Sequence, residues 1–219
     1  MVKHEICSMQ ILVIAATELE IGPFTAQNTV ADILITGIGV PATLYHTQRC
    51  VQQKPYDMLI QAGIAGSFNT TIELGQTVLI KQDCFADLGL EEKGNYTPVF
   101  ETGLADANTF PYTGGWLVNT GEHLTYTDLP LLKAITVNKV SDSALQKQQY
   151  IHTFNADLES MEGAALHYVC LQEKIPFLQI RSVSNYVGER DKAKWTMKEA
   201  INNLNDELSK LINTLTQSL

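Results

Sequence analysis

Apolar runs in this sequence break off at polar residues whose types could do chemistry. Glu20 follows the run QILVIAAT at 10–17, Glu162 heads ESMEGAALHYVC from its second turn of letters, and Arg181 and Asn185 interrupt LQIRSVSNYVGERD. A carboxylate placed just past a strand can serve as a general base. It is equally accounted for as a solvated acid at a helix start, where the helix dipole favours it. Glu162 is the more unusual of the two, because the helix it introduces soon becomes almost wholly apolar. Arg181 ends an apolar run, where an unpaired guanidinium is costly, so it should meet a carboxylate, with Glu20 and Glu162 as candidates. Asn185 fits neither a core position, which should be apolar, nor a catalytic acid, which should be Asp or Glu. Trp195 reads either as a core anchor or as one wall of a pocket for a flat ligand.

Two glycine-rich stretches, TGIGVP at 36–41 and AGIAGS at 62–67, follow apolar runs. Backbone N–H groups in such turns can face an anion, but tight strand-to-helix turns explain them as well. Neither completes G-x-G-x-x-G or G-x-x-x-x-G-K-[ST], so a dinucleotide or P-loop site is unsupported.

The elements that must position these residues belong to a chain of 219 residues with 45% hydrophobic content, which fits a single globular domain over 1–219. The net charge of −9 and the lack of Lys/Arg runs argue against a grip on nucleic acid. Cys7, Cys50, Cys84 and Cys170 form no C-x-x-C pair and read as buried free thiols. His4, His46, His123, His152 and His167 lack ligand spacing, so no metal and no cofactor is expected. The N-terminal apolar run is too short for a signal peptide, and no stretch reaches the roughly 18 apolar residues of a membrane span. The expected location is cytoplasmic.

Strands are expected at 10–17, 31–39, 57–68, 76–86 and 131–140, with another short one before a helix from about Met161 to Glu173, and a last core strand after Pro176. Pro41 stands at a first helical position, and Ser141 or Asp142 should cap the helix that follows the 131–140 strand. Thr196, with Glu199 three residues on, should cap an amphipathic C-terminal helix carrying Met197, Ile201, Leu204, Leu208, Leu211 and Leu215. Residues 90–115, rich in Gly, Thr, Pro and Asn, read as an irregular excursion or lid loop. Alternating strands and helices give an α/β fold, a three-layer α/β/α sandwich around a mixed, mostly parallel sheet. Ligands in such folds bind beyond the carboxyl ends of strands.

Taken in order, AATELE, TGIGVPAT, QAGIAGSF, ESMEGAA and RSVSNYV resemble the signature segments of the purine nucleoside phosphorylase and nucleosidase superfamily. ESMEGAA, RSVSNYVGERD and the following Lys194–Trp195 pair are more similar to the futalosine hydrolase family than to methylthioadenosine/S-adenosylhomocysteine nucleosidases. The resemblance implies hydrolysis of futalosine to hypoxanthine on a menaquinone route, by a homodimer or larger homo-oligomer. A neighbour's loop, for which 87–115 is the candidate, would close over the 5′ group. It implies that Glu20 holds the attacking water with help from Arg181, that Met161 and Glu162 bind the ribose, and that Gly66, Val140, Asn185 and Trp195 surround the base. A purine nucleoside phosphorylase or an adenine-releasing nucleosidase is the alternative, and a non-catalytic nucleoside-binding module a more distant one. Ile64 departs from the adenine-cleaving pattern, which has Ser there. Asn185 falls where those enzymes carry an Asp. A 6-oxopurine offers acceptors at O6 and N7, and an amide NH₂ offers donors, so Asn185 points to hypoxanthine or guanine over adenine.

Overall fold

The computed structural model describes residues 9–217, so Cys7 and His4 lie outside the described residues. The chain runs β1 (Ile11–Ala15), α1 (Glu18–Thr25), β2 (Asp32–Ile35), α2 (Val40–Gln53), β3 (Met58–Ser67) and β4 (Thr77–Asp83). A hairpin of β5 (Gly89–Glu92) and β6 (Asn95–Pro98) follows, then β7 (Tyr112–Thr113) and β8 (Trp116–Val118). The remainder is β9 (Leu131–Thr136), α3 (Ala144–Phe154), β10 (Leu158–Ser160), α4 (Gly163–Glu173), β11 (Phe177–Tyr186) and α5 (Met197–Gln217).

β1 is apolar and buried along its whole length, as a strand covered on both faces should be. Its residues divide between two layers. Ile11, Val13 and Ala15 join the core containing Leu204, Leu208 and Leu211 of α5, while Leu12 and Ile14 join the core containing Leu166 and Cys170 of α4. With α1 packed on α5 and α2 on α4, the architecture is the expected three-layer sandwich. The sheet runs β2-β1-β3-β10-β9-β4-β8-β7, and β11 pairs with both β3 and β4. β1 pairs in parallel with β2 and β3, as do β10 with β9, β11 with β3 and β4 with β9; the remaining pairs are antiparallel.

Several boundaries differ from expectation for physical reasons. The 90–115 segment is not irregular throughout, since it holds all of the β5–β6 hairpin except Gly89 and ends in β7, which joins the main sheet through its neighbour β8. β9 stops at Thr136, which leaves Val140 in an exposed loop. Ser143, not Ser141 or Asp142, caps α3, its hydroxyl accepting from Gln146 N–H at 3.3 Å; the Ser141 hydroxyl instead accepts from Ser143 N–H. The Thr196 hydroxyl donates to Ser184 O at 3.4 Å, and its carbonyl accepts from Ala200 N–H as α5 begins. Cys84 and Cys170 are buried free thiols, whereas Cys50 is only half-buried beside the Tyr56 hydroxyl. No described helix is long and apolar enough to cross a membrane.

Candidate active site

Residues from the carboxyl ends of β1, β10 and β11 meet the second half of β3 around a cleft of about 410 Å³. Glu20, Gly66, Val140, Met161, Glu162, Asn185 and Trp195 all line it. Arg181 does not; it lies behind the wall, 1% exposed. None of residues 87–115 lines this cleft within one chain.

Glu20 is fixed by the way α1 begins. Its Oε2 accepts from Thr17 N–H and from the Thr17 hydroxyl, each at 3.0 Å, a capping box that turns the side chain back toward β1. Its Oε1 accepts from Ile64 N–H at 3.2 Å, so β3 holds the same carboxylate from the other side. The backbone around it is anchored from afar by Asn205 of α5. That buried amide donates to Glu20 O and accepts from Phe24 N–H, both at 2.8 Å.

Glu162 stands at the N-cap position of α4 but does not cap it. The Ser160 hydroxyl accepts from Gly163 N–H at 3.3 Å, and the Thr136 hydroxyl accepts from Ala164 N–H at 2.8 Å. With those donors already matched, the Glu162 carboxylate reaches away from its helix to accept from Gly39 N–H at 2.9 Å. The glycine turn at 37–39 thus presents its amide to a protein carboxylate, and Gly39 adopts φ 90°, a conformation that suits glycine. Burial raises the Glu162 pKa, while Arg181 and the Gly39 N–H act against that rise.

Arg181 meets a carboxylate as its place in an apolar run required. Its Nη1 lies 3.9 Å from Glu162 Oε2, and its Nη2 donates to Gln61 Oε1 at 2.7 Å. Gln61 in turn donates to Glu162 O at 3.4 Å. The guanidinium and the Glu20 carboxylate share the space above Gly63. A Cβ there would collide with Arg181 Nη1 and stand 2.9 Å from Glu20 Oε1. Gly63 is therefore not a turn glycine but a gap in the interior of β3 that lets two charged side chains lie over the strand.

Asn185 owes its position to a bulge. Arg181, Ser182 and Val183 pair with Gly63, Ile64 and Ala65, but Asn185 pairs with Gly66, leaving Ser184 as the extra residue. Strict alternation would turn Asn185 to the same face as Arg181; the extra residue moves it to the other. The Ser184 hydroxyl donates to Asn185 Oδ1 at 2.8 Å, and Asn185 Nδ2 donates to Tyr186 O at 3.1 Å. The amide orientation is thereby set. One N–H remains to offer a ligand, not the two that a free amide would have.

Trp195 is a half-buried wall of the cleft and not a core anchor. Its ring N–H donates to Glu189 O at 3.1 Å, and the Arg190 guanidinium lies 5.7 Å from a ring centroid. Among the described residues, no group of His, Cys, Asp and Glu is placed to hold a metal ion. Three contributors escaped the sequence reading, Gln61, Glu159 and Asn205, while Gly63 was read only as part of a glycine turn at 62–67. Gln61 did carry a signal, being an amide in the apolar run DMLIQAGIAG.

The profile of the phosphorylase superfamily matches residues 11–219. The futalosine hydrolase of Thermus thermophilus is 31% identical over 82% of this chain and 80% of its own length. That of Streptomyces coelicolor is 28% identical over 82% of this chain and 77% of its own. Among solved structures, a mutant Helicobacter pylori MTAN with 5′-methylthioadenosine in its active site superimposes with a TM-score of 0.80 at 15% identity. It covers 94% of this chain and 98% of that one, a likeness of fold. Two acids and a guanidinium gathered at strand ends, on a sheet of this order and with a profile match over nearly every described residue, lead to one assignment: the chain belongs to the phosphorylase superfamily.

Proposed function

We propose that this protein hydrolyses the N-glycosidic bond of futalosine, releasing hypoxanthine and dehypoxanthine futalosine in menaquinone synthesis. The observation that carries the reading is the Asn185 amide, locked by Ser184 and Tyr186 with one N–H left for a ligand in the cleft shared by Glu20 and Glu162. The likeness to two futalosine hydrolases supports the substrate.

As the glycosidic bond stretches, the ribose gains positive charge and the base negative charge. Glu20 takes the proton of the attacking water, and Arg181, beside it over Gly63, keeps that carboxylate in place. Glu162 accepts from the ribose hydroxyls, with Met161 against the sugar, and its hold strengthens as the ribose becomes cationic. Asn185 donates its free N–H to the departing base, and an amide suits an acceptor edge better than it suits the N6 donor of adenine. Gly66, Val140 and Trp195 enclose that base. Phosphorolysis would need a cluster of cations at the glycine turns, and there Gly39 N–H is engaged by a carboxylate instead. The same reading makes the protein a cytoplasmic homodimer or larger homo-oligomer, with residues 87–115 of a neighbouring copy closing the 5′ end.

The test is a panel of futalosine, inosine and methylthioadenosine, each assayed with and without phosphate. Hypoxanthine release from futalosine without phosphate is expected. Strict phosphate dependence, preferential adenine release, or tight binding with no base release would each replace the proposal.

A further inference from the structure

Glu159 opens the motif ESMEG but is absorbed by none of the roles above. It lines the same cleft and is 8% exposed. Among the described residues, its carboxylate makes no hydrogen bond or ion pair of the kind that holds Glu20 and Glu162, although Arg190 and Asp87 act on it electrostatically. The carboxylate opens into the cleft, so its acceptors are met by solvent or by a donor on a bound ligand.

The sheet register says where that acid is aimed. Glu159 of β10 pairs with Gly66 of β3, and Gly66 pairs on its other side with Asn185 of β11. Residues directly opposite one another project from the same face of a sheet, so Glu159 and Asn185 flank a position that has no side chain. Two strand spacings separate them, about 10 Å between backbones. The place a Gly66 Cβ would take is bordered by Val187 Cγ2 at 3.1 Å and Asn185 Nδ2 at 3.4 Å, so the amide donor leans over Gly66 while the Glu159 acceptor stands on the strand beyond it. Asn185 has one free N–H and can satisfy one acceptor of a bound base. A 6-oxopurine also carries a donor, N1–H, next to O6.

Resting on the 6-oxopurine reading above, we propose that Glu159 is a specificity-determining residue that accepts the N1–H of the leaving base. Adenine has a lone pair at N1 and meets the Glu159 carboxylate acceptor to acceptor. Burial pushes the Glu159 carboxyl up to about 7, and a base donating N1–H restores the stabilisation of the ionised form that burial withholds.

Calorimetry with hypoxanthine, 1-methylhypoxanthine and adenine, on the wild type, Glu159→Gln and Glu159→Ala, tests this. The wild type should prefer hypoxanthine to 1-methylhypoxanthine by on the order of 10- to 100-fold, the range for a hydrogen bond to a charged group. Glu159→Ala should erase that preference. Glu159→Gln, which keeps the shape and adds a donor for adenine N1, should lower the hypoxanthine-to-adenine ratio by about tenfold or more. Equal binding of hypoxanthine and its 1-methyl derivative by the wild type, no binding of hypoxanthine, or a parallel loss for all three bases in both variants overturns the proposal. Failure of the wild type to release base from futalosine, with these binding ratios as expected, removes the hydrolase reading and leaves Glu159 as the reader of N1–H.

Discussion

Replacing Gly63 by Ala adds one methyl group at the point where Glu20 and Arg181 share the space over β3. The new Cβ would collide with Arg181 Nη1, lie 3.4 Å from Arg181 Cζ and 2.9 Å from Glu20 Oε1. Ordinary contact needs about 3.5–4.0 Å, so the guanidinium must retreat by about 1 Å or more and the carboxylate by roughly half that or more. Neither has slack. Arg181 is 1% exposed and bonded to Gln61, and Glu20 has three donors on its two oxygens. A misplacement of about 1 Å in a catalytic constellation costs on the order of 10²-fold in rate, and overpacking a tight site costs about 1–3 kcal/mol in stability. Gly63→Ala should therefore lose on the order of 10²-fold in kcat for base release and unfold at a lower temperature. Gly22→Ala is the control, since a Cβ there meets nothing within 4 Å and α1 should gain about 0.5–1 kcal/mol. Steady-state base release and thermal unfolding on both variants decide the matter. Full activity and an unchanged Tm in Gly63→Ala would refute the shared-space argument.

Glu20→Gln should lose on the order of 10²- to 10⁴-fold in kcat, as removal of a general base does, and should melt earlier because its NH₂ must face either the Thr17 donors or Ile64 N–H; single-turnover assays and a melting curve check both. In Asn185→Asp, the oxygen replacing Nδ2 faces Tyr186 O, now 3.1 Å away, so the new carboxyl should stay protonated. Competition assays should then show preference moving toward adenine nucleosides, and an unchanged hypoxanthine-to-adenine ratio would count against the role given to the amide. Asn205→Ala leaves Phe24 N–H and Glu20 O without their buried partner, at about 1–3 kcal/mol for an orphaned group, so denaturant unfolding should show a loss in that range together with a lower kcat. Preference for 6-oxopurine over adenine substrates should rise as pH passes upward through about 7, because the burial-raised Glu159 carboxyl ionises there, with Arg190 favouring and Asp87 opposing the charged form; kcat/KM for both substrates across that pH would show a flat ratio if Glu159 does not read the base.

The layers, the mostly parallel sheet and the amphipathic α5 were legible because the strands and helices behind them are written locally, as continuous apolar runs or a helical period. Glu20, Glu162, Arg181 and Asn185 were legible for a related reason: a polar residue that interrupts such a run stands out. Ser143 as a cap and the β7–β8 pairing were not, since several Ser and Asp residues compete at 141–143 and strands of two or three residues carry no period.

Gly63, Glu159 and Asn205 share a different obscurity, because the fact that gives each its role lies in a distant segment. In the sequence AGIAG, Gly63 looks like the end of a strand; only the arrival of Arg181 in register beside it makes the missing side chain a requirement. Glu159 reads as one more acid in an acidic motif until β10 is laid against Gly66 and β11 against its other edge. Even Asn185, conspicuous in the sequence, has its direction set by the bulge at Ser184 and its donor count set by Tyr186 O. Periodicity can say that a residue is out of place, but its neighbours across the sheet decide what it can hold. That is why the two donors expected of Asn185 become one here, and why the second contact to the base falls to a carboxylate two strands away.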